Sequence, residues 1–297
     1  MIGYIVFAVA FIGSSIAAYL DLKTTEVPDS VSVAVASLAL VLHFVVSYTS
    51  GEWRFLISSI LVGIAFFGLG WLLYLLGTWG GADAFVLGSI GFALPYLPEE
   101  FAPLFIAPWP FFMTLLFNTM IVGLVYSLLY AVYHGFRSDG VMAAFQEEMR
   151  EYWRRAAMIV MVYISVIAAL TVVYRGGLVL TQRTLLLIGG HGVLLLGLLM
   201  LYRYLQAVEE RAMRAEVDVD ELGEGDVLAE DVDLEDGKID ASRIVGLTEE
   251  EVEEIQEARE TVTVKYGVRF VPSFPAALLI SVTIGDLLYI VVSYVTV

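Results

Sequence analysis

The chain has no cysteine among its 297 residues, which removes disulfides, thiolate metal sites and cysteine nucleophiles from consideration. Histidine is nearly as scarce. His43, His134 and His191 lie in separate stretches without metal-ligand spacing, and zinc sites draw on three or four ligands, so neither a metal nor a cofactor is expected. Four of the eight prolines, at 98, 103, 108 and 110, fall in one short stretch, which reads as an ordered connection with no helix of its own. Lys and Arg number 16 against 33 Asp and Glu, and no nucleic-acid partner is expected of so acidic a chain. The opening Met1-Ile2-Gly3-Tyr4 lacks the basic residues of a cleaved signal, so the first apolar run is expected to be retained as a helix.

What is present is hydrocarbon. Hydrophobic residues make up 59% of the chain and mean hydropathy is +0.81, against about 45–50% apolar residues in an ordinary globular domain. The expected fold class is a polytopic α-helical membrane protein of about eight transmembrane segments, one of them short, with a small α+β soluble insert before the last span. Apolar runs of spanning length cover residues 2–20, 31–48, 55–76, 111–133, 156–173, 184–204 and 271–297. The run over residues 84–97 is shorter, a length that also fits a buried or re-entrant segment.

Charge is confined. Residues 207–262 carry 21 acids and 5 bases, leaving 12 acids and 11 bases for the whole remainder. The expected division is a membrane core over 1–134, a cytoplasmic loop over 135–155, an additional helix pair over 156–206, an acidic cytoplasmic insert over 207–268 and a last transmembrane helix over 269–297. If the short run crosses, 13 of the 16 Lys and Arg fall on the side of the insert, which makes that side cytoplasmic. If it does not cross, an equally uneven split arises with the N-terminus inside, so charge alone does not choose. The eight-segment version is preferred because it brings the loops after segments one and three to the side of the insert.

Within the insert, Glu216-Val217-Asp218-Val219-Asp220-Glu221-Leu222 alternates like a strand. Gly223, Gly225 and Gly237 punctuate short strands that follow it. Thr248-Glu249-Glu250-Glu251 is a capping box, predicting a helix from residue 249 to about 259, and residues 261–266 alternate as one more strand. At about 60 residues the insert is near the lower limit for independent folding, and it is expected to lean on the membrane body.

Three acids sit in or against the apolar segments: Asp21, Asp83 and Asp286. An ionisable side chain bordering hydrocarbon is costly and is by default a functional candidate. Asp21 closes the first run, at a helix C-terminus whose dipoles disfavour an anion. Asp83 follows Gly77, Gly80 and Gly81 and is expected at the N-cap of the short run, where free amides favour one. Two carboxylates in contrasting surroundings, close enough to share a proton, form the acid and base of an aspartic protease, with Asp83 expected as the ionised base and Asp21 as the protonated acid. Asp286 lies too deep in the last run to stand level with them and reads as a structural or outer-interface acid.

Asp21 followed by Val27-Pro28-Asp29, then Gly80-Gly81-Ala82-Asp83, then Val268-Arg269-Phe270-Val271-Pro272-Ser273-Phe274-Pro275 resembles the prepilin peptidase group of membrane aspartyl proteases. The archaeal preflagellin (archaellin) and prepilin peptidase branch is the best likeness. The resemblance implies catalysis by Asp21 and Asp83, with Gly80, Gly81, Ala82 and Pro28 as supporting motif positions. Ala82 stands where the family's Gly-x-Gly-Asp motif has its second glycine. The implied substrates are precursors of archaellin or type IV pilin-like subunits, in which a short basic leader precedes a hydrophobic helix and is removed at the cytoplasmic membrane surface. Bacterial relatives also N-methylate their product, whereas peptidase activity alone is expected here. The acidic insert is expected either to steer the basic leader or to act only as a solubilising domain. The alternative function is a transporter or channel using the membrane-border acids as an ion path.

Overall fold

The computed structural model describes residues 2–175, 181–234, 237–241 and 246–295. Seven helices come first: α1 (Ile2–Thr24), α2 (Asp29–Ser50), α3 (Arg54–Leu75), α4 (Gly81–Ala93), α5 (Phe111–Arg137), α6 (Val141–Arg175) and α7 (Gln182–Ala212). The small insert follows, with β1 (Arg214–Asp218), β2 (Val227–Leu228), β3 (Val232–Leu234), β4 (Gly237–Ile239), α8 (Glu249–Ala258) and β5 (Thr261–Lys265). Helices α9 (Ser273–Thr283) and α10 (Leu287–Val295) end the chain. Six helices, α1, α2, α3, α5, α6 and α7, are long and apolar enough to cross a membrane, and α4 and α9 are shorter apolar helices. The chain is a multi-pass membrane protein. Helices α1, α3 and α5 turn large apolar side chains outward, among them Ile12, Leu61 and Leu129, as lipid contact requires.

Helix α4 decides the topology. It starts beside the end of α3, and at its far end the Phe92 carbonyl accepts from Ser59 Oγ near the start of α3, while the Ala93 carbonyl meets His43 Nε2 at 2.9 Å. Beyond it, Glu100 accepts from the Gly3 amide at 3.1 Å, at the opposite end of α1 from Asp21. Residues 81–100 therefore cover the same depth as α1. The short run crosses.

Glycines let α3 and α4 approach closely, as small residues do between membrane helices. Gly63 receives the ring of Phe92, Gly88 lies against Phe67, and Gly91 lies against Phe66 and the Val62 carbonyl. His43 is buried where these helices meet, its Nδ1 against the Tyr96 hydroxyl at 3.0 Å. It is a packing residue.

Several expectations need correction. Residues 135–155 are helical apart from the turn Ser138-Asp139-Gly140, so the expected cytoplasmic loop is mainly the first half of α6. Glu147, Glu151 and Arg155 stand four residues apart there, with Arg150 and Arg154 interleaved, and such spacing supports an exposed helix. Val141 and Ala144 also find partners in Tyr204 and Val208 of α7. The last run is not one helix. It breaks at Gly285, whose φ of 104° is the left-handed conformation that glycine adopts freely, and Gly285 pairs with Phe105 of the proline-rich connection.

The insert has a core of its own. Val219, Leu222, Leu228, Ile239, Leu247, Ile255, Val262 and Val264 close it without a residue of the membrane body, while Lys265 Nζ on Glu209 of α7 ties the insert to that body. Its main sheet has the order β1-β5-β2, all antiparallel, with β3 and β4 as a separate pair. The expected strand over residues 216–222 begins earlier, at Arg214, and gives way after Asp218 to a 3-10 turn. The capping box forms as expected: Thr248 Oγ1 accepts from the Glu251 amide, and Glu251 Oε2 accepts from the Thr248 amide at 2.9 Å.

Candidate active site

Helix α1 ends with Asp21 in its last turn, and the carboxylate is 8% exposed. The chain then turns through Thr25, whose φ of 63° is unusual for a residue with a β-branched side chain. Pro28 precedes α2, which it starts without donating an amide, and its carbonyl accepts from Val31. On the facing side, α3 stops at Leu75, and Gly77 makes the exit in the left-handed conformation, φ 67°. Gly80 and Gly81 do not share that conformation; Gly80 is the N-cap of α4 in an extended one.

Asp83 is the third residue of α4 and not its N-cap. Its side chain turns back to accept the Gly80 amide at 2.9 Å, a use of a first-turn carboxylate that satisfies one orphan donor of the helix start. Ala82 is half-buried in the same turn, and Asp83 itself is 6% exposed. Its second oxygen, Oδ1, is buried and has no hydrogen-bond partner among the described residues. Asp21 also accepts a backbone amide, that of Val271, at 3.2 Å. Amide hydrogen bonds thus support both carboxylates alike, while Asp83 stands in the first turn of α4 and Asp21 in the last turn of α1. The two carboxylates lie close enough for the charge of one to act on the other.

Residues around the pair come from four further segments. Trp79, in the α3–α4 turn, packs its ring on Phe270 at 5.1 Å and on Phe274 at 5.8 Å. Arg269 donates to the Leu22 carbonyl, and its charge reaches Asp21 together with Tyr126 and Tyr130 of α5. Both tyrosines are half-buried, and neither hydroxyl has a hydrogen-bond partner among the described residues. The sequence pointed to residues 268–275 only through family likeness, and it gave no sign of Trp79, Tyr126 or Tyr130. A tyrosine pair spaced by four on one helix face was the available signal.

Asp286 stands apart. It is fully buried at the break between α9 and α10, where Oδ2 accepts from Trp109 Nε1 and Thr114 Oγ1, each at 2.7 Å, and Oδ1 accepts from the Tyr289 amide at 2.8 Å. Among the described residues, no group of His, Asp and Glu is arranged to hold a metal ion.

The type IV leader peptidase family matches residues 8–128, a stretch that holds both Asp21 and Asp83. Over that stretch the chain is similar to the type IV leader peptidase family. Among curated relatives, a preflagellin peptidase of Methanococcus voltae is 29% identical over 170 residues, covering 56% of this chain and 70% of the relative. A prepilin peptidase of Methanothermobacter thermautotrophicus is 25% identical over 172 residues, 55% of this chain and 44% of the relative. A preflagellin peptidase of Methanocaldococcus jannaschii is 35% identical over 89 residues, 30% of this chain and 38% of the relative. The chain thus spans less than half the length of the latter two in these matches. No solved structure matches it. The transport alternative finds no support among relatives named as peptidases.

Proposed function

We propose that this chain is a membrane aspartic endopeptidase that removes the leader from precursors of archaellin or pilin-like subunits, with Asp21 and Asp83 as its catalytic pair. The observation that carries the reading is two buried carboxylates, from α1 and α4, near enough for the charge of one to act on the other, with one oxygen of Asp83 left without a partner among the described residues. Two carboxylates so placed hold one proton between them more cheaply than two negative charges. The ionised member takes a proton from water as the oxygen attacks the scissile carbonyl. The protonated member hydrogen-bonds the carbonyl oxygen and then supplies a proton to the leaving amine. Because the pair titrates together, the roles belong to the dyad and not to fixed residues.

The dyad is proposed to face the cytoplasm. Support comes from the excess of Lys and Arg, 13 of 16, on the side that holds the end of α1, the start of α4, the ends of α5 and α7 and the insert. A precursor with a basic leader and a hydrophobic helix then presents its junction to the dyad at the membrane surface, where water is available.

The test is incubation of the detergent-solubilised protein with a membrane-embedded archaellin or pilin precursor, beside Asp21→Asn and Asp83→Asn. Leader release by the parent and its loss in each variant are expected. Retained cleavage in either variant removes the proposal.

A further inference from the structure

We infer that the strap Arg269-Phe270-Val271, which joins the insert to α9, is the positioning element for Asp21. The inference rests on the peptidase reading and adds to it a set of residues outside the family match, which ends at residue 128. Three contacts carry it. Arg269 donates to the Leu22 carbonyl, one of the last-turn carbonyls of α1 that have no partner within the helix, and a cation is favoured at that end. Phe270 fills the space left by Gly123 of α5, where a Cβ would collide with its ring, and it is braced on the other side by Trp79. Val271 donates its amide to Asp21 Oδ2. Pro272 follows and has no amide of its own, so Val271 presents the donor nearest the start of α9.

Each contact touches α1, α5 or the α3–α4 turn, the same segments that surround the dyad. Without them Asp21 would hang from the frayed end of a helix, next to a turn held in the left-handed conformation at Thr25. The strap follows β5, the central strand of the insert's sheet, whose end is tied to α7 by Lys265 Nζ on Glu209 at 2.6 Å, while the next residue, Tyr266, donates its amide to the carbonyl of Met213, just past α7, at 2.8 Å. A folded insert therefore holds one end of the strap and α9 the other.

The experiment measures cleavage kinetics of the full-length protein in detergent for Arg269→Gln, Arg269→Lys, Phe270→Ala and Gly123→Leu, with Asp21→Asn and Asp83→Asn as references. Misplacing a catalytic group by about 1 Å costs about 100-fold in rate, so kcat is expected to fall at least tenfold in Arg269→Gln, Phe270→Ala and Gly123→Leu. KM should stay within about twofold, because the strap orients Asp21 and is not needed to hold the substrate. Arg269→Lys retains a cation at the helix end and should recover part of the lost kcat. Thermal unfolding separates this from misfolding; if Gly123→Leu fails to fold, Arg269→Gln, altered only at a half-exposed side chain, decides. Parent kcat in Arg269→Gln and Phe270→Ala, with both aspartate variants inactive, overturns the strap while leaving the peptidase reading intact. An active aspartate variant overturns the peptidase reading itself.

Discussion

A Cβ placed on Gly70 would come within 2.7 Å of the Cα of Ala84, the residue that follows Asp83. The backbone of α3 thus serves as the floor on which the first turn of α4 rests, and Asp83 is set by that contact as much as by its own hydrogen bond to Gly80. Gly70→Val is expected to push α4 away, at a cost of about 1–3 kcal/mol for overpacking and with a loss of cleavage out of proportion to the loss of stability. Gly80→Ala is expected to be milder, since its added Cβ meets nothing nearer than Asp83 Oδ2 at 3.4 Å and its backbone is extended. Cleavage rates measured beside thermal unfolding of both variants check the order; equal activity in the two would refute it.

That contrast marks how far the sequence could be read. The alternation of apolar runs and the two isolated aspartates revealed the membrane class and the two candidate acids, because burying charge near lipid is costly enough to leave a pattern in composition. The glycines before Asp83 were legible as a break, yet the position that packs α4, Gly70, sits unmarked inside an apolar run. Packing between helices depends on which faces meet, and a helix apolar all round does not disclose them. For the same reason the kink at Gly285 was hidden in a continuous hydrophobic stretch. The loop assigned to residues 135–155 failed because charged residues at helical spacing were taken for a connection.

Tyr126 and Tyr130 offer hydroxyls beside the dyad that no described residue uses. An extended peptide entering the site brings unpaired backbone carbonyls, which such hydroxyls can satisfy. Tyr126→Phe and Tyr130→Phe are each expected to raise KM about threefold to tenfold, the equivalent of one neutral hydrogen bond of about 0.5–1.5 kcal/mol. kcat should change little. Steady-state kinetics on a precursor peptide in detergent check this, and unchanged KM in both variants would exclude the hydroxyls from substrate binding.

The insert's 21 acids against 5 bases over residues 207–262 create a field on the side to which a basic leader is proposed to come. Neutralising the exposed acids of α8, Glu249, Glu250, Glu253, Glu254 and Glu257, should lower kcat/KM severalfold at low ionic strength. The difference should vanish near 0.5 M salt, where screening is nearly complete beyond a few ångströms. A rate and salt dependence equal to the parent's would leave the insert as a solubilising domain and an anchor for the strap.

Asp286 differs from the dyad in that every neighbour is arranged to accept its presence. Trp109 and Thr114 donate to one oxygen and the Tyr289 amide to the other, while Asn118 bridges the Gly285 carbonyl and the Leu287 amide beside it. Removing the carboxylate strands three donors, one buried and two part-buried, and a buried donor left unpaired costs about 1–3 kcal/mol. Asp286→Ala is therefore expected to destabilise the protein by about 3 kcal/mol or more, and Asp286→Asn by less, since the amide oxygen still accepts. Below its unfolding temperature, Asp286→Asn should cleave at the parent rate, because the acid closes the break between α9 and α10 and takes no part in the chemistry. A large fall in kcat with unchanged thermal stability would instead connect Asp286 to the reaction.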